Sequence, residues 1–179
     1  MHLDATPSPF ALHGKTLLIV GVHTPQGGCA AQTCARMGAH VIAQTSFTQP
    51  PQPVDGLLWC TPPDHTLATR LQAPADAIEA LHAAGLLRQG AAIVLEKNHI
   101  PSAPDAVPLC VEGGLSTLAA SLALRHAPQA IRVNTLTTHL HPNADEQQDF
   151  AHAAAYLLSP ASRWVTGSNL VLTGLATLF

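Results

Sequence analysis

STLAASLALRHAPQAIRVN, residues 116–134, is the stretch that best indicates how this chain folds. Leucines and alanines recur at helical spacing through its first half, and Pro128 follows the basic residues Arg125 and His126 that end the helix. Residues 131–136 then have the apolar, β-branched content of a strand. A helix, a tight turn and a buried strand in this order predict a parallel α/β sheet.

The length and composition favour one domain in a soluble oligomer. A chain of 179 residues can bury one core, so we expect a single domain over residues 1–179. Hydrophobic residues make up 47% and charged residues only 11%, which is little charge for a free surface. A net charge of −3 without a basic run argues against nucleic acid as a partner. The leader, residues 1–14, has no secretion signal and no apolar run is long enough to span a bilayer, so we expect a cytoplasmic protein without membrane contact.

The hydrophobic pattern predicts alternating strands and helices along the chain. Strands are expected at residues 15–22, 40–44, 54–60, 91–96, 131–136 and 168–172. Helices are expected at residues 29–39, 73–87, 111–126 and 144–158. Residues 97–108 contain three prolines and are predicted to form a loop.

Two stretches resemble the short-chain dehydrogenase/reductase family. Residues 116–134 resemble its run S-L-A-x-E-x-A-P-x-G-I-R-V-N, with the I-R-V-N segment unchanged. Residues 153–174 are similar to its C-terminal text, although TGL stands where the family usually has DGG. The resemblance implies a Rossmann-like, doubly wound parallel sheet and, for most relatives, an NAD(P)-dependent enzyme.

The connection after the second predicted strand is too short for the elements that the family has there. Only the eight residues 46–53, three of them proline, separate Thr45 from the next strand. A helical crossover needs about 10–12 residues or more, whereas this proline-rich connection can span about 25 Å when extended. We therefore predict a sheet of about six strands, in the family's order 2-1-4-5-6-7, that lacks the edge strand and flanking helices after the second strand.

The same deletion would make the second strand an edge strand. Bare edges invite pairing with other chains, so they are usually covered. The leader is apolar and contains Phe10, and we expect it to cap this edge.

The glycine turn after the first strand only partly matches the family's cofactor fingerprint. The spacing G-x-x-x-G-x-G falls on Gly21, Pro25 and Gly27, and proline has no N–H and cannot adopt a positive φ. Gly27 and Gly28 would leave an uncapped helix N-terminus, so a residual phosphate site at Gly21, Gly27 and Gly28 stands beside a plain strand-to-helix turn. The ribose-binding carboxylate would belong near Thr45, which is uncharged. The resemblance thus implies at most weak NAD(P) binding, and we expect no cofactor.

The family's catalytic tyrosine and lysine have no counterpart. Counting back without gaps puts the tyrosine position at Pro108, the lysine position at Glu112 and the serine position near Lys97 and Asn98. In the family the tyrosine is the acid/base and the lysine lowers its pKa, which neither proline nor glutamate can do. Glu96, Lys97 and Glu112 are expected to form an ion pair across the old cleft or a solvated rim.

Two other strand ends depart from the family text. Trp59 begins the segment that replaces N-N-A-G, where it would fill the cofactor's volume or simply pack at the edge of the sheet. Thr138 and His139 replace P-G. His139 and His141 would point the same way on an extended segment, but they lack a third ligand at recognisable spacing, so we expect no metal site.

Three functions stay open. The first is a non-catalytic structural or regulatory subunit of a homo-oligomer, or of a hetero-oligomer with a full-length relative, assembled through Val111–His126 and Ala144–Leu172, which keep the family text best. The second is an NAD(P)-dependent oxidoreductase with a rearranged active site, whose base would be His99, His139 or His141. The third is a small-ligand binding protein or non-redox enzyme that reuses the vacated cleft at the carboxyl ends of the strands.

Overall fold

The computed structural model describes residues 8, 10–61, 67–99, 106–139 and 143–172. Its strands are β1 (Thr16–Val20), β2 (His40–Gln44), β3 (Val54–Trp59), β4 (Leu87–His99), β5 (Arg132–His139) and β6 (Asn169–Val171). Its helices are α1 (Pro25–Arg36), α2 (Leu67–Ala83), α3 (Ala106–His126) and α4 (Ala144–Leu158). Short 3-10 turns follow α3 at Ala127–Gln129 and α4 at Pro160–Ser162.

The six strands form one parallel sheet in the order β2-β1-β3-β4-β5-β6. The chain leaves β2, passes β1 through residues 46–53 and enters β3 on the other side of β1. Within the described residues no strand pairs with the outer side of β2. The predicted Rossmann-like sheet without the outer edge strand is therefore confirmed.

Helices cover both faces of the sheet. Side chains alternate between the two faces of a strand, so neighbours such as Leu57 and Leu58 join different apolar layers. Leu57 packs in the layer that contains Ile78 of α2 and Leu122 of α3. Leu58 packs in the opposite layer, which contains Phe150 of α4. This arrangement is the doubly wound architecture that the alternating pattern predicts.

Several predicted element ends were wrong. The first helix begins at Pro25, because Thr24 caps it and proline is well tolerated in the first turn. Helix α2 begins at Leu67 and contains Pro74, although that proline was expected near its start. Helix α3 begins at Ala106, so much of the predicted loop 97–108 is regular structure. Strand β4 continues to His99 because its pairing with β5 continues that far, which a local pattern cannot show.

The I-R-V-N segment holds the connection between α4 and β6. The buried Arg132 guanidinium donates to the carbonyl oxygens of Leu157 at 3.0 Å and Ser159 at 3.2 Å, and to Ser162 Oγ at 2.8 Å. The Asn134 side chain donates to the Val165 carbonyl at 2.9 Å. These bonds fix β6 beside β5. They explain structurally why arginine and asparagine occur in the I-R-V-N segment.

The described part of the leader does not cover the edge of β2. Leu12 is buried in the layer that contains α1 and α4. Phe10 is 52% exposed, and its ring centroid lies 6.2 Å from that of Tyr156 on α4. Phe10 thus lies beside α4, and capping of β2 by the leader stays a prediction, because residues 1–7 and 9 lie outside the described residues. Among the described helices, none is long and apolar enough to cross a bilayer.

Candidate functional site

The candidate site lies where β1, β3, β4 and β5 end, since parallel strands bring their carboxyl ends to one edge of the sheet. Three features meet there: the glycine turn before α1, an apolar cavity beside α2 and a buried polar cluster around Glu96. Cys60 and Thr61, directly after β3, line the cavity and also contact Glu96.

The glycine turn is already hydrogen-bonded within itself. The Gly27 N–H donates to Thr24 Oγ1 at 3.0 Å, and the Gly28 N–H donates to the Thr24 carbonyl at 2.9 Å. Thr24 Oγ1 in turn donates to the Gly21 carbonyl at 2.8 Å. Pro25 contributes no N–H. The expectation of an uncapped N-terminus is therefore wrong, and the residual phosphate site at Gly21, Gly27 and Gly28 stays a prediction.

Close packing explains why glycine stands at two of these positions. A Cβ at Gly21 would lie 2.0 Å from the Cys60 carbonyl oxygen, and its φ of +85° already disfavours other residues. A Cβ at Gly27 would lie 2.3 Å from the Gly21 carbonyl oxygen. The turn packs against the end of β3 without a side chain between them, so the glycine pattern is needed even without a ligand.

An apolar cavity of about 530 Å³ lies between the ends of β1 and β3, the residues after β2, and α2. Phe47 and Trp59 form an aromatic pair in its wall, with ring centroids 6.2 Å apart and planes 41° apart. Trp59 is buried in the apolar layer, so it packs in the sheet and leaves the cavity open. The lining residues are Val20, His23, Thr45, Ser46, Phe47, Trp59, Cys60, Thr61, Ala73, Asp76, Ala77 and Ala80.

Glu96 lies in a buried polar cluster on the α1 side of the sheet. Its carboxylate is only 3% exposed and accepts a hydrogen bond from the Thr61 N–H at 3.1 Å and one from the Cys60 thiol. The Asn98 side chain donates to the Thr61 carbonyl at 3.4 Å. Lys97, the next residue along the strand, points to the other face and reaches Ser116 Oγ at 3.4 Å. The expected solvated rim is therefore wrong for Glu96. An ion pair between Lys97 and Glu112 stays a prediction, because the Glu112 side chain lies outside the described residues.

Burial sets the protonation of this cluster. It raises the pKa of Glu96 to about 7, although the Thr61 N–H, the Cys60 thiol and the charge of Arg70 act in the opposite direction. Burial and the neighbouring Glu96 carboxylate raise the pKa of Cys60 well above its usual value. Cys60 therefore remains a thiol near neutral pH, while Glu96 can gain or lose a proton there. The sequence signal that could have revealed Glu96 is a glutamate at the end of the apolar run AAIVLE.

Three oxygen atoms at the ends of β4 and β5 are buried without a hydrogen-bond partner in the described part of the chain. They are Glu96 Oε1, Asn98 Oδ1 and Thr138 Oγ1. Asn98 and Thr138 are paired in the strand register, and Glu96 lies two residues before Asn98 on the same face of β4. The strand ends thus present acceptor oxygens that a donor group could satisfy.

The other predicted site residues are only partly brought together. Pro108 and Glu112 lie one turn apart in α3, and their side chains are outside the described residues. Asn98 is beside Glu96, whereas His99 and His139 are register partners at the far ends of β4 and β5. His141 lies outside the described residues. Within the described chain no three histidine, cysteine or acidic side chains gather closely enough to hold a metal ion.

Among the described residues, those of the glycine turn and the end of β2 do not fit an NAD(P) cofactor. The first-turn donors of Gly27 and Gly28 are used internally, Pro25 has none, and no carboxylate stands at Thr45 to bind a ribose. The only carboxylate among the described lining residues is Asp76 on α2, whose side chain accepts a hydrogen bond from Gln72 Nε2 at 2.6 Å.

Solved structures with the same architecture are oxidoreductases. A dehydrogenase/reductase from Sinorhizobium meliloti 1021 is 18% identical, with 93% of this chain and 96% of that chain covered and a TM-score of 0.75. FabI from Alistipes finegoldii is 16% identical, with 92% and 91% covered and a TM-score of 0.76. That FabI is also known as a complex with NADH. A Serratia marcescens short-chain dehydrogenase/reductase variant is 17% identical, with 91% and 97% covered and a TM-score of 0.72.

These likenesses concern the fold, since all three identities are below 20%. No protein-family model matches the chain, and no curated protein does so either. The strand order, the helices on both faces and the agreement over most of each compared chain nevertheless lead to one conclusion. The chain has the fold of the short-chain dehydrogenase/reductases.

Proposed function

We propose that this protein has lost the dehydrogenase reaction of its fold relatives and acts as a non-catalytic structural or regulatory subunit. The observation that carries the proposal is the glycine turn. Thr24 caps α1, and the turn packs directly against the end of β3, so it is complete without a pyrophosphate. A turn whose donors and glycines are used for internal contacts is more consistent with a non-catalytic subunit than with an enzyme that binds a dinucleotide.

The residues at the expected catalytic positions support the same proposal. Pro108 has no ionisable group, and Glu112 carries the charge opposite to the lysine that it would replace. A glutamate cannot lower the pKa of a neighbouring acid as a lysine does. Loss of the acid/base pair and of the pyrophosphate site together removes the whole reaction.

The two segments expected to mediate assembly carry exposed apolar side chains. Leu124 on α3 is 80% exposed, Trp164 after α4 is 87% exposed and Val171 on β6 is 53% exposed. Within the described residues, β6 is the last strand of the sheet and no strand pairs with its outer edge, where another chain could pair. Contiguous exposed apolar patches mark interaction surfaces, so these side chains are the positions at which to test one. We infer that a second copy, or a full-length relative, binds through Val111–His126 and Ala144–Leu172.

The test combines calorimetry with light scattering on the pure protein. We expect no saturable heat with NAD(H) or NADP(H) up to millimolar concentration, and a mass of at least a dimer. Leu124→Glu and Trp164→Glu should lower the mass, whereas Phe10→Glu, at an exposed aromatic outside both segments, should not. Cofactor binding at micromolar concentration would contradict the loss of the reaction. A monomer at all concentrations would contradict self-association and leave the full-length relative as the partner to test by co-purification.

A second candidate is a non-redox enzyme that uses Glu96. A buried carboxyl group with a pKa of about 7, which Cys60 and Thr61 connect to the cavity, suits general acid/base chemistry near neutral pH. Its test is turnover of uncharged hydroxy and carbonyl compounds with no dinucleotide added. Activity that Glu96→Gln abolishes supports this candidate, and activity that survives this substitution contradicts it.

A further inference from the structure

The cavity beside α2 exists because small residues of this helix face it. Ala73, Ala77 and Ala80 lie at helical spacing and line the cavity, opposite Val20 and Trp59 of the sheet. Alanine side chains reach only a short way, so they leave a space of about 530 Å³ above the strand ends. A volume of this size is in the range of small-molecule sites, about 300–1,000 Å³.

The cavity wall offers aromatic surface. The planes of the Phe47 and Trp59 rings are 41° apart and their centroids are separated by 6.2 Å. Each ring therefore leaves part of its face uncovered by the other. A flat ring system can stack or pack edge to face against such a pair. Thr45 and Ser46 add hydroxyl groups at the end of β2. This combination suits a flat, mostly apolar molecule with few hydrogen-bonding groups.

The charges around the cavity disfavour anions. Among the described lining residues there is no lysine or arginine, and Asp76 provides a carboxylate. The neighbouring glycine turn uses its Gly27 and Gly28 donors internally. A phosphate, sulfonate or carboxylate on the ligand would therefore lose its hydration without a lysine, an arginine or an uncapped helix terminus in the cavity wall. The basic groups nearby are His23, which lines the cavity, and Arg70, which acts on Glu96 and is not a lining residue.

We propose that the cavity between Trp59 and the alanines of α2 is a binding site for an uncharged, flat aromatic molecule. Its walls combine stacking surface, hydroxyl groups and a carboxylate, which select such a ligand against anionic relatives of the same shape. This inference does not depend on assembly or on the role of Glu96.

The two tryptophans of the chain allow a direct test. Trp59 lines the cavity, whereas Trp164 is 87% exposed elsewhere, so Trp164→Phe leaves Trp59 as the only tryptophan. This variant is titrated with N-phenyl-1-naphthylamine, which is uncharged, and with 1-anilinonaphthalene-8-sulfonate, which is similar in shape and anionic. Energy transfer from Trp59 to the probe reports binding near the cavity. We expect saturable transfer with one uncharged probe per chain, and at least about tenfold weaker binding of the sulfonate.

Two further variants locate the site and test its charge selectivity. Ala80→Phe fills the cavity and should abolish transfer, whereas Ala83→Phe, at an exposed position at the end of the same helix, should leave it unchanged. Asp76→Lys changes an exposed residue of the lining, which keeps the test valid if Ala80→Phe does not fold. It should strengthen sulfonate binding by about tenfold.

Three outcomes would overturn the proposal. The first is transfer that does not saturate, which indicates only surface adsorption. The second is equal affinity for both probes in the parent and in Asp76→Lys. The third is unchanged transfer in a folded Ala80→Phe protein, since the probe would then bind outside the cavity.

Discussion

Gly21 shows that one sequence pattern can follow from two physical causes. In a dinucleotide site, glycines let the backbone approach a pyrophosphate. Here the atom that approaches is the Cys60 carbonyl oxygen, which a Cβ would meet at 2.0 Å. The same spacing of glycines can therefore persist when it packs a turn against a strand.

Substitution of Gly21 separates these two causes. We expect Gly21→Ala to lower the free energy of unfolding by about 3 kcal/mol or more without any ligand, because positive φ and steric overlap act together. Gly85→Ala is the control, since Gly85 also has a positive φ of +66° but open space around its Cβ position, and it should cost about 1 kcal/mol. Urea unfolding monitored by circular dichroism measures both. Equal costs would show that the contact with Cys60 is unimportant.

Glu96 should make stability depend on pH in the direction opposite to most carboxylates. Its pKa of about 7 when folded exceeds the usual 4.5, so the folded chain binds more protons between these values. The contribution of Glu96 is fully present below pH 4.5 and is lost as pH rises through about 7. His126 acts in the reverse sense, because burial lowers its pKa and its contribution is lost below pH 6.5.

Replacement of Glu96 by glutamine tests this linkage. Relative to the parent, Glu96→Gln should gain about 3 kcal/mol of stability between pH 5 and pH 8, because burying the charged carboxylate no longer costs free energy. His126 is present in both proteins and cancels in the difference. Asp149→Asn, at an exposed position on α4, is the control and should follow the parent. Parallel stability curves for Glu96→Gln and the parent would contradict the raised pKa.

At the scale of elements, β5 and the connection after α4 form one hydrogen-bonded unit. Arg132 alone donates to three carbonyls and one hydroxyl of that connection. The Asn134 side chain accepts from the Ser168 N–H at 3.0 Å. The two segments that resemble the short-chain dehydrogenase/reductases, residues 116–134 and 153–174, are the ones that these hydrogen bonds join. The bonds explain the family-like residues by the stability of a single chain, whether or not the segments also mediate assembly.

Arg132→Lys tests whether the planar guanidinium is required. A lysine keeps the charge but cannot reach Leu157, Ser159 and Ser162 together, so buried acceptors lose their donors. We expect a loss of about 2–4 kcal/mol in the free energy of unfolding. Arg163→Lys, at an exposed position in the same connection, should change it by less than about 0.5 kcal/mol. A similar small effect at both positions would show that the network contributes little.

At the scale of the whole molecule, one sheet is shared by two apolar layers. Leu57 and Leu58 are adjacent and both fully buried, yet they belong to opposite layers. Since the central strands β1, β3, β4 and β5 each contribute residues to both layers, we expect the two layers to unfold together.

Leu57→Ala and Leu58→Ala test this shared core. Each should cost about 2–5 kcal/mol because it leaves a cavity in a packed layer. Far-ultraviolet circular dichroism and tryptophan fluorescence should report the same unfolding midpoint in each variant. Leu124→Ala, at an exposed position, should change the midpoint little in the monomer. Separate midpoints for the two signals would mean that the layers unfold independently.

The sequence by itself determined the alternation of strands and helices and the missing edge strand, and the family resemblance implied the strand order. The alternation of strands and helices follows from the local hydrophobic pattern. The connection 46–53 has only eight residues, which is too short for a helical crossover however the rest of the chain packs. The same reasoning predicted wrong end residues for several helices and strands. Strand β4 reaches His99 because its pairing with β5 continues that far, and α2 begins at Leu67, before the predicted start at residue 73.

Only the tertiary structure decided the chemistry of the site. Thr24 caps α1 and Gly21 packs on Cys60, so the turn is hydrogen-bonded within itself, whereas the sequence predicts an uncapped helix N-terminus. The sequence predicts Glu96 in a solvated rim or an ion pair, yet it is buried beside Cys60 and Thr61, and burial raises its pKa to about 7. Burial, cavities and pKa values arise from groups far apart in the chain, so residue type and spacing could indicate where the site lies but not what surrounds each side chain.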